Sequence, residues 1–510
     1  MIEMRAGRSE AESILRRLRQ AFPASGAATL LMQLMLRDER LGAARQVFAE
    51  DIWPREADAK VRAALINRLT AGAVDAGATL AFLRDLDARR PNDPTVLTRM
   101  ASMEARLGHQ EEALALLDRA AVLHPLPSYA GALRVQLLLE AGRAADAVEE
   151  ARRLCGVMPA DSRYPELLCN AATMAGDRAV ATEALEDGLR RFPGDWKLLF
   201  RFTRLLLPPA DVERLFPVIA SQAEQACQDG RGRFHYAMAC LEQGHLADAR
   251  EVVAPIGPED PAAGMALPLR RALDHLLREE LPPSRITEDR MRDYQLVTVP
   301  GASTLLVVCA GLMGRFSYIP LSVLDRYLQR YAVHVAYLRD TAGQAYMGGL
   351  PSIQGGEPAA IERLRATAPQ AGASRIVTMG ASLGGFGALR YAAALGADAA
   401  VSFAGPTRLS NGPDDARRPQ GQRINRALRM LDHGADLIED LRRAPATRIA
   451  YSFGALNESH QAQAARLSAL PQVTAFPLPG VADSFAALHA IAEGQFESLL
   501  GGFLGLPRRG

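Results

Sequence analysis

Along residues 1–280 apolar side chains recur three and four positions apart, whereas beyond residue 290 they gather in short runs. The first pattern predicts amphipathic helices and the second predicts strands. Segments 30–41, 59–69 and 80–88 read as helices. Runs 294–299, 304–310, 334–338, 375–379, 399–403 and 448–453 read as strands, with helix-like segments between them. A last run, 473–478, carries Pro477, which lacks the amide a central strand needs and suits an edge. Short β-branched runs separated by amphipathic helices predict a mostly parallel, three-layer α/β domain with its sheet covered on both faces. The change falls after Leu281-Pro282-Pro283, so the expected organisation is helical 1–90, repeating helices 91–280 and an α/β domain 290–505.

The helical part repeats. Gly108, Gly142 and Gly176 are 34 residues apart, and Gly244 lies two periods further on. Prolines keep the same spacing at Pro91, Pro125, Pro159 and Pro193, then at Pro261. Five residues after each glycine stands an alanine: Ala113, Ala147, Ala181 and Ala249. Glycine opens a turn between antiparallel helices, alanine lets them approach, and proline ends the second helix. Leu154 and Gly188 stand where a second small alanine is expected, and 194–227 is degenerate. This period resembles the tetratricopeptide repeat, with 1–90 as diverged repeats or a cap. The resemblance implies an all-α solenoid whose groove takes a protein or peptide partner. The alternative is an array that only packs against the C-terminal domain.

Gly380-Ala381-Ser382-Leu383-Gly384 lies between the strand 375–379 and a helix-like run from Gly385. Gly-x-Ser-x-Gly at a strand-to-helix junction is the nucleophile elbow, which holds a serine hydroxyl at the top of a sheet. With strand, elbow and helix in this order, 290–505 resembles the α/β-hydrolase fold. The text 336–340, 346–349 and 380–391 resembles bacterial serine esterases and acyltransferases associated with surface polysaccharide modification. That resemblance implies acyl transfer through Ser382, on an ester-type small molecule or an acylated glycan.

A serine needs a base, and the resemblance orders the partners serine, acid, histidine. His489 follows the last strand, in the position of the base. Asp483, however, reads as a helix N-cap and 484–496 as helix, which would set His489 more than one turn inside. Glu458 is the natural orienting acid, or else a solvated residue in a helix first turn. An exchanged assignment makes His460 the base and Asp483 its acid. A third possibility is that the base is lost and the chain is an interaction protein with a degenerate hydrolase domain. His334 reads as a core residue, and His433 lies in an insertion where lids sit. Leu383 N–H and one amide from the loop after 304–310, Gly311 or Leu312, would form the oxyanion hole. Arg315 in that loop reads as exposed, with an anionic substrate group as its alternative partner.

Composition narrows the partners. Net charge is +1, and the basic residues are nearly all arginine, with Lys60 and Lys197 the lysines. No basic excess exists to displace counterions from nucleic acid. The five cysteines are scattered, without a metal-ligand spacing, and no Gly-rich phosphate loop precedes a Lys-Ser/Thr pair. No metal or cofactor is therefore expected. The N-terminus lacks the apolar core of a signal peptide and no run is long enough to span a membrane, so the expectation is a cytoplasmic protein.

Overall fold

The computed structural model describes residues 2–23, 26–71, 75–311, 313–409 and 435–509. It divides into two compact units, 1–184 and 185–510, with the division inside the helix Arg178–Arg191.

The repeat spacing is realised as helix hairpins, among them Pro94–Leu107 with Gln110–Leu123 and Ser128–Glu140 with Ala144–Val157. Gly108, Gly142, Gly176 and Gly244 all have φ between 74° and 88°, a left-handed turn that a side chain would strain. Ala113, Ala147, Ala181 and Ala249 are buried. Helices end at Arg89, Leu123, Val157 and Arg191, each two residues before a proline of the series. Pro261 departs from this. The helix Leu246–Val253 is already over, ended by Pro255 two residues past Val253, and Pro261 stands in the turns before Ala263–Leu276.

In the second unit the strands are β1 (Tyr294–Val297), β2 (Thr304–Cys309), β3 (His334–Leu338), β4 (Arg375–Ala381), β5 (Ala399–Phe403), β6 (Arg448–Gly454) and β7 (Val473–Leu478). Their order is β1-β3-β2-β4-β5-β6-β7. β1 runs antiparallel to β3 and every other pairing is parallel. β7 is an edge, where Pro477 opposite Phe453 leaves no central ladder bond unmade. The sheet is thus mixed, and the connections β1 to β2 and β3 to β4 each pass over one intervening strand.

The helices before the sheet share its core. Phe234, Met238, Leu269 and Leu273 pack in one buried cluster with Val308, Val335, Tyr337 and Leu488. A charged group is enclosed beside it. The Glu242 carboxylate pairs with Arg315 and lies 3.5 Å from Arg290, and all three side chains are no more than 3% exposed. Arg315 also donates to the Thr203 carbonyl at 2.6 Å and Arg290 to the Phe202 carbonyl at 3.0 Å. Arg315 is therefore a buried anchor rather than the exposed arginine its loop suggests. Its partner is 73 residues away, so no local pattern signals the pairing.

Candidate active site

Ser382 stands between β4 and the helix Leu383–Leu395, with φ 53° and ψ −126°. A non-glycine residue there is strained, and such strain persists only where its surroundings hold it. Here Ser382 N–H donates to Phe403 O at 2.8 Å, and Gly385 N–H donates to Ser382 O at 2.8 Å. Glycines on either side make the turn possible. A Cβ on Gly380 would lie well inside van der Waals contact of the Gly384 carbonyl, and one on Gly384 would strike the Cys309 carbonyl of β2. Gly380→Ala should therefore lower the stability of the second unit by about 1–3 kcal/mol or more. Gly244→Ala meets open space and pays only the left-handed backbone term of about 1–2 kcal/mol. Denaturant unfolding of both variants checks this; a Gly380→Ala loss no larger than that of Gly244→Ala would refute the steric account.

The turn leaves the Ser382 side chain exposed, with no hydrogen bond among the described residues. Leu383 N–H, the first amide of the helix, likewise has no acceptor among them. Gly311 N–H is committed differently from the expectation. It donates to Arg315 O at 2.7 Å while Gly314 N–H donates to Gly311 O at 2.9 Å, so the loop closes on itself. Leu312 and His433 lie outside the described residues.

His489 is in the helix Ala486–Ala492, which starts later than the capping pattern implies and places the imidazole at the end of the first turn. Asp483 does not cap that helix directly. Its Oδ1 accepts Phe485 N–H at 2.8 Å, and its Oδ2 meets His489 Nε2 at 2.9 Å. Burial alone would raise the Asp483 carboxyl, but the bonds from His489 and Phe485 outweigh it and hold the pKa below the usual aspartate value. With Nε2 engaged, Nδ1 is the His489 nitrogen left for a proton, and it makes no hydrogen bond among the described residues.

Glu458, expected as the orienting acid, is exposed at the start of the helix Glu458–Leu467, with no side-chain partner among the described residues. Asn457 caps that helix by accepting His460 N–H at 3.0 Å. His460 is buried, and its Nδ1 accepts Gly454 N–H at 3.3 Å. That bond puts the ring proton on Nε2 and leaves no lone pair for a serine proton. Burial also holds its pKa below the ordinary imidazole value, against the pull of Asp483. His334 is buried with both nitrogens occupied, by Val299 N–H at 3.1 Å and by Ala302 O at 2.8 Å. The structure thus joins His489 to Asp483, a pairing that sequence order alone did not single out. A short Asp-Ser-Phe turn six residues before a histidine is the one local signal that could have found it.

Among the described residues no group of three His, Cys, Asp or Glu could hold a metal ion, and no helix is long and apolar enough to cross a membrane.

A scan against protein-family models finds no match, and a search of the curated proteins finds none either. Solved structures give matches to helical-repeat proteins. The chain is similar to YrrB, described as a TPR protein with an unusual peptide-binding site, at 13% identity over 37% of this chain and 97% of that one, with a TM-score of 0.30. A tetratricopeptide repeat protein from Parabacteroides merdae gives 14%, 51%, 99% and 0.31 for the same quantities. MamA from Desulfovibrio magneticus gives 23%, 34%, 97% and 0.28. Scores this low carry no argument about activity. The helix hairpins and their glycine turns define the repeat region as TPR-like on their own geometry.

Proposed function

We propose that the second unit is a serine-dependent acyl-transfer enzyme of α/β-hydrolase type, an esterase, deacylase or O-acyltransferase. The observation that carries this reading is the strained backbone of Ser382 at the carboxyl end of β4, with its side chain exposed and without a hydrogen bond among the described residues. In such sheets the carboxyl ends of the strands are where ligands sit.

Each residue then has a role. The Ser382 oxygen attacks an ester carbonyl and its proton passes to His489 Nδ1. Asp483 holds the ring and stabilises the imidazolium. Leu383 N–H faces the carbonyl oxygen as it becomes negative. Collapse expels the alcohol, which takes the proton back from His489, and leaves acyl-Ser382. Water then completes hydrolysis, or a glycan hydroxyl completes transfer. The Ser382–His489 hydrogen bond is absent from the described contacts, and apo sites often close this distance only with substrate bound.

Ser382→Ala should abolish labelling by a fluorophosphonate probe while leaving the thermal transition in place. Labelling that survives this substitution, or is absent from the native chain, would sink the reading. The same lack of a serine–imidazole bond favours a second reading, a TPR interaction protein with a degenerate hydrolase domain. In that case the native chain stays unlabelled while the repeats of the first unit bind a protein or peptide.

A further inference from the structure

A cavity of about 260 Å³ lies where the helices Trp196–Arg204 and Gly230–Glu242 meet the loop after β2. Its walls are largely aromatic and sulfur-bearing: Trp196, Phe200 and Phe234 face Met238, Met265 and Tyr318. Its charged lining is Arg204, Arg231 and Arg315, with no carboxylate among the residues that form it. Arg315 already has Glu242 as its ion-pair partner, and Arg231 is exposed over the Trp196 ring at 5.1 Å.

Arg204 is different. Its guanidinium sits 4.5 Å from the centre of the Phe200 ring, yet its Nε is buried without a hydrogen-bond partner. No ion pair or hydrogen bond engages its other nitrogens among the described residues. Burial, with repulsion from Arg201 and Arg315, pulls its pKa down to about 10. Arg204 is half-buried, and a cation whose Nε is cut off from water without a partner is costly; a ligand anion on the guanidinium is the simplest way to offset it.

The neutral polar groups suit the same ligand. Burial, reinforced by Arg204, Arg315 and Arg231, lowers the His235 pKa to about 4, so this ring is uncharged at neutral pH. Burial raises the Tyr318 phenol to about 12, leaving it a neutral donor.

We propose that this cavity binds a small organic monocarboxylate, with its carboxylate on Arg204 and its apolar body against the aromatic walls. At ~30 Å³ per non-hydrogen atom, as in liquid water, the space holds on the order of ten such atoms. The cavity shares the loop after β2 with the Ser382 site, and Tyr318 packs on Phe485 beside Asp483, but the proposal rests on Arg204 and the aromatic walls and stands whether or not that serine is catalytic.

Phenylacetate and phenylacetamide have the same size and shape and differ in charge, so the pair isolates the anion. Calorimetry on the full chain should show saturable binding of phenylacetate, with the amide at least about tenfold weaker, as loss of a charge-assisted bond implies. Arg204→Met keeps the length and removes the charge; it should weaken phenylacetate by about tenfold or more without lowering the melting temperature. Emission from Trp196 should change with the same midpoint, and that change should vanish in Trp196→Phe. Equal binding of acid and amide, unchanged affinity in Arg204→Met, or no saturation up to about 10 mM would each overturn the proposal.

Discussion

Glu242→Ala is expected to lower the stability of the 185–510 unit by about 3–5 kcal/mol, the usual cost of removing one member of a buried ion pair. The carboxylate is 2% exposed between Arg315 and Arg290, and those guanidiniums are 1% and 3% exposed. Without it, two cations remain enclosed with only the Thr203 and Phe202 carbonyls as hydrogen-bond partners among the described residues. Glu242→Gln preserves the shape and one acceptor, so it should fall between the alanine variant and the native chain.

The effect depends on pH with a definite sign. Burial opposes ionisation of Glu242, but Arg315 and Arg290 outweigh it and hold the pKa below the ordinary 4.5. A group depressed on folding contributes fully above its unfolded value and loses that contribution as pH falls through the folded value. The native chain's advantage over Glu242→Ala should thus be complete at pH 7 and shrink below about pH 4.5. Denaturant unfolding at several pH values measures it. A loss under about 1 kcal/mol at pH 7 would show that the pair is no stronger than a surface contact.

In the active-site reading, His489→Ala should slow labelling of Ser382 by about 10²- to 10⁴-fold, the range for loss of a general base. Asp483→Asn should also be slow, since it leaves the ring in place but cannot stabilise the imidazolium. His460→Ala should stay within about threefold of the native rate, because Gly454 N–H occupies the nitrogen that would accept a proton. Second-order labelling rates decide among these, with melting curves confirming that each variant is folded. A collapse of the rate in His460→Ala together with a native rate in His489→Ala would exchange the two roles. The Glu458→Ala rate separates the sequence-based acid from Asp483: an exposed, unpaired carboxylate should change nothing.

The helix-turn glycines, the edge position of Pro477 and the glycine–serine turn after β4 were all legible from neighbouring residues. Each depends on local sterics: which residue tolerates a positive φ, which lacks an amide, which leaves room for a carbonyl. Helix boundaries were less legible, as the late start of Ala486–Ala492 shows. The Asp483 side chain caps an isolated turn through Phe485 N–H instead of opening the helix. That offset of a few residues turns His489 from an apparent interior residue into one held by Asp483.

The tertiary structure alone decided which side chains meet and which are dry. Arg315 and Glu242 are separated by 73 residues, and only their enclosure between the preceding helices and the sheet makes them a pair. His460 loses its free lone pair to an amide of β6, and among the described residues Arg204 Nε is left without a partner beside an aromatic cavity. Period, alternation and backbone strain are properties of adjacent residues, so the helix hairpins, the strand series and the strained Ser382 turn could be read from neighbouring positions. Pairing and desolvation energies depend on distant groups and on excluded water, so the contacts of His489, Asp483 and Arg315 and the surroundings of Arg204 emerge only once the chain is folded.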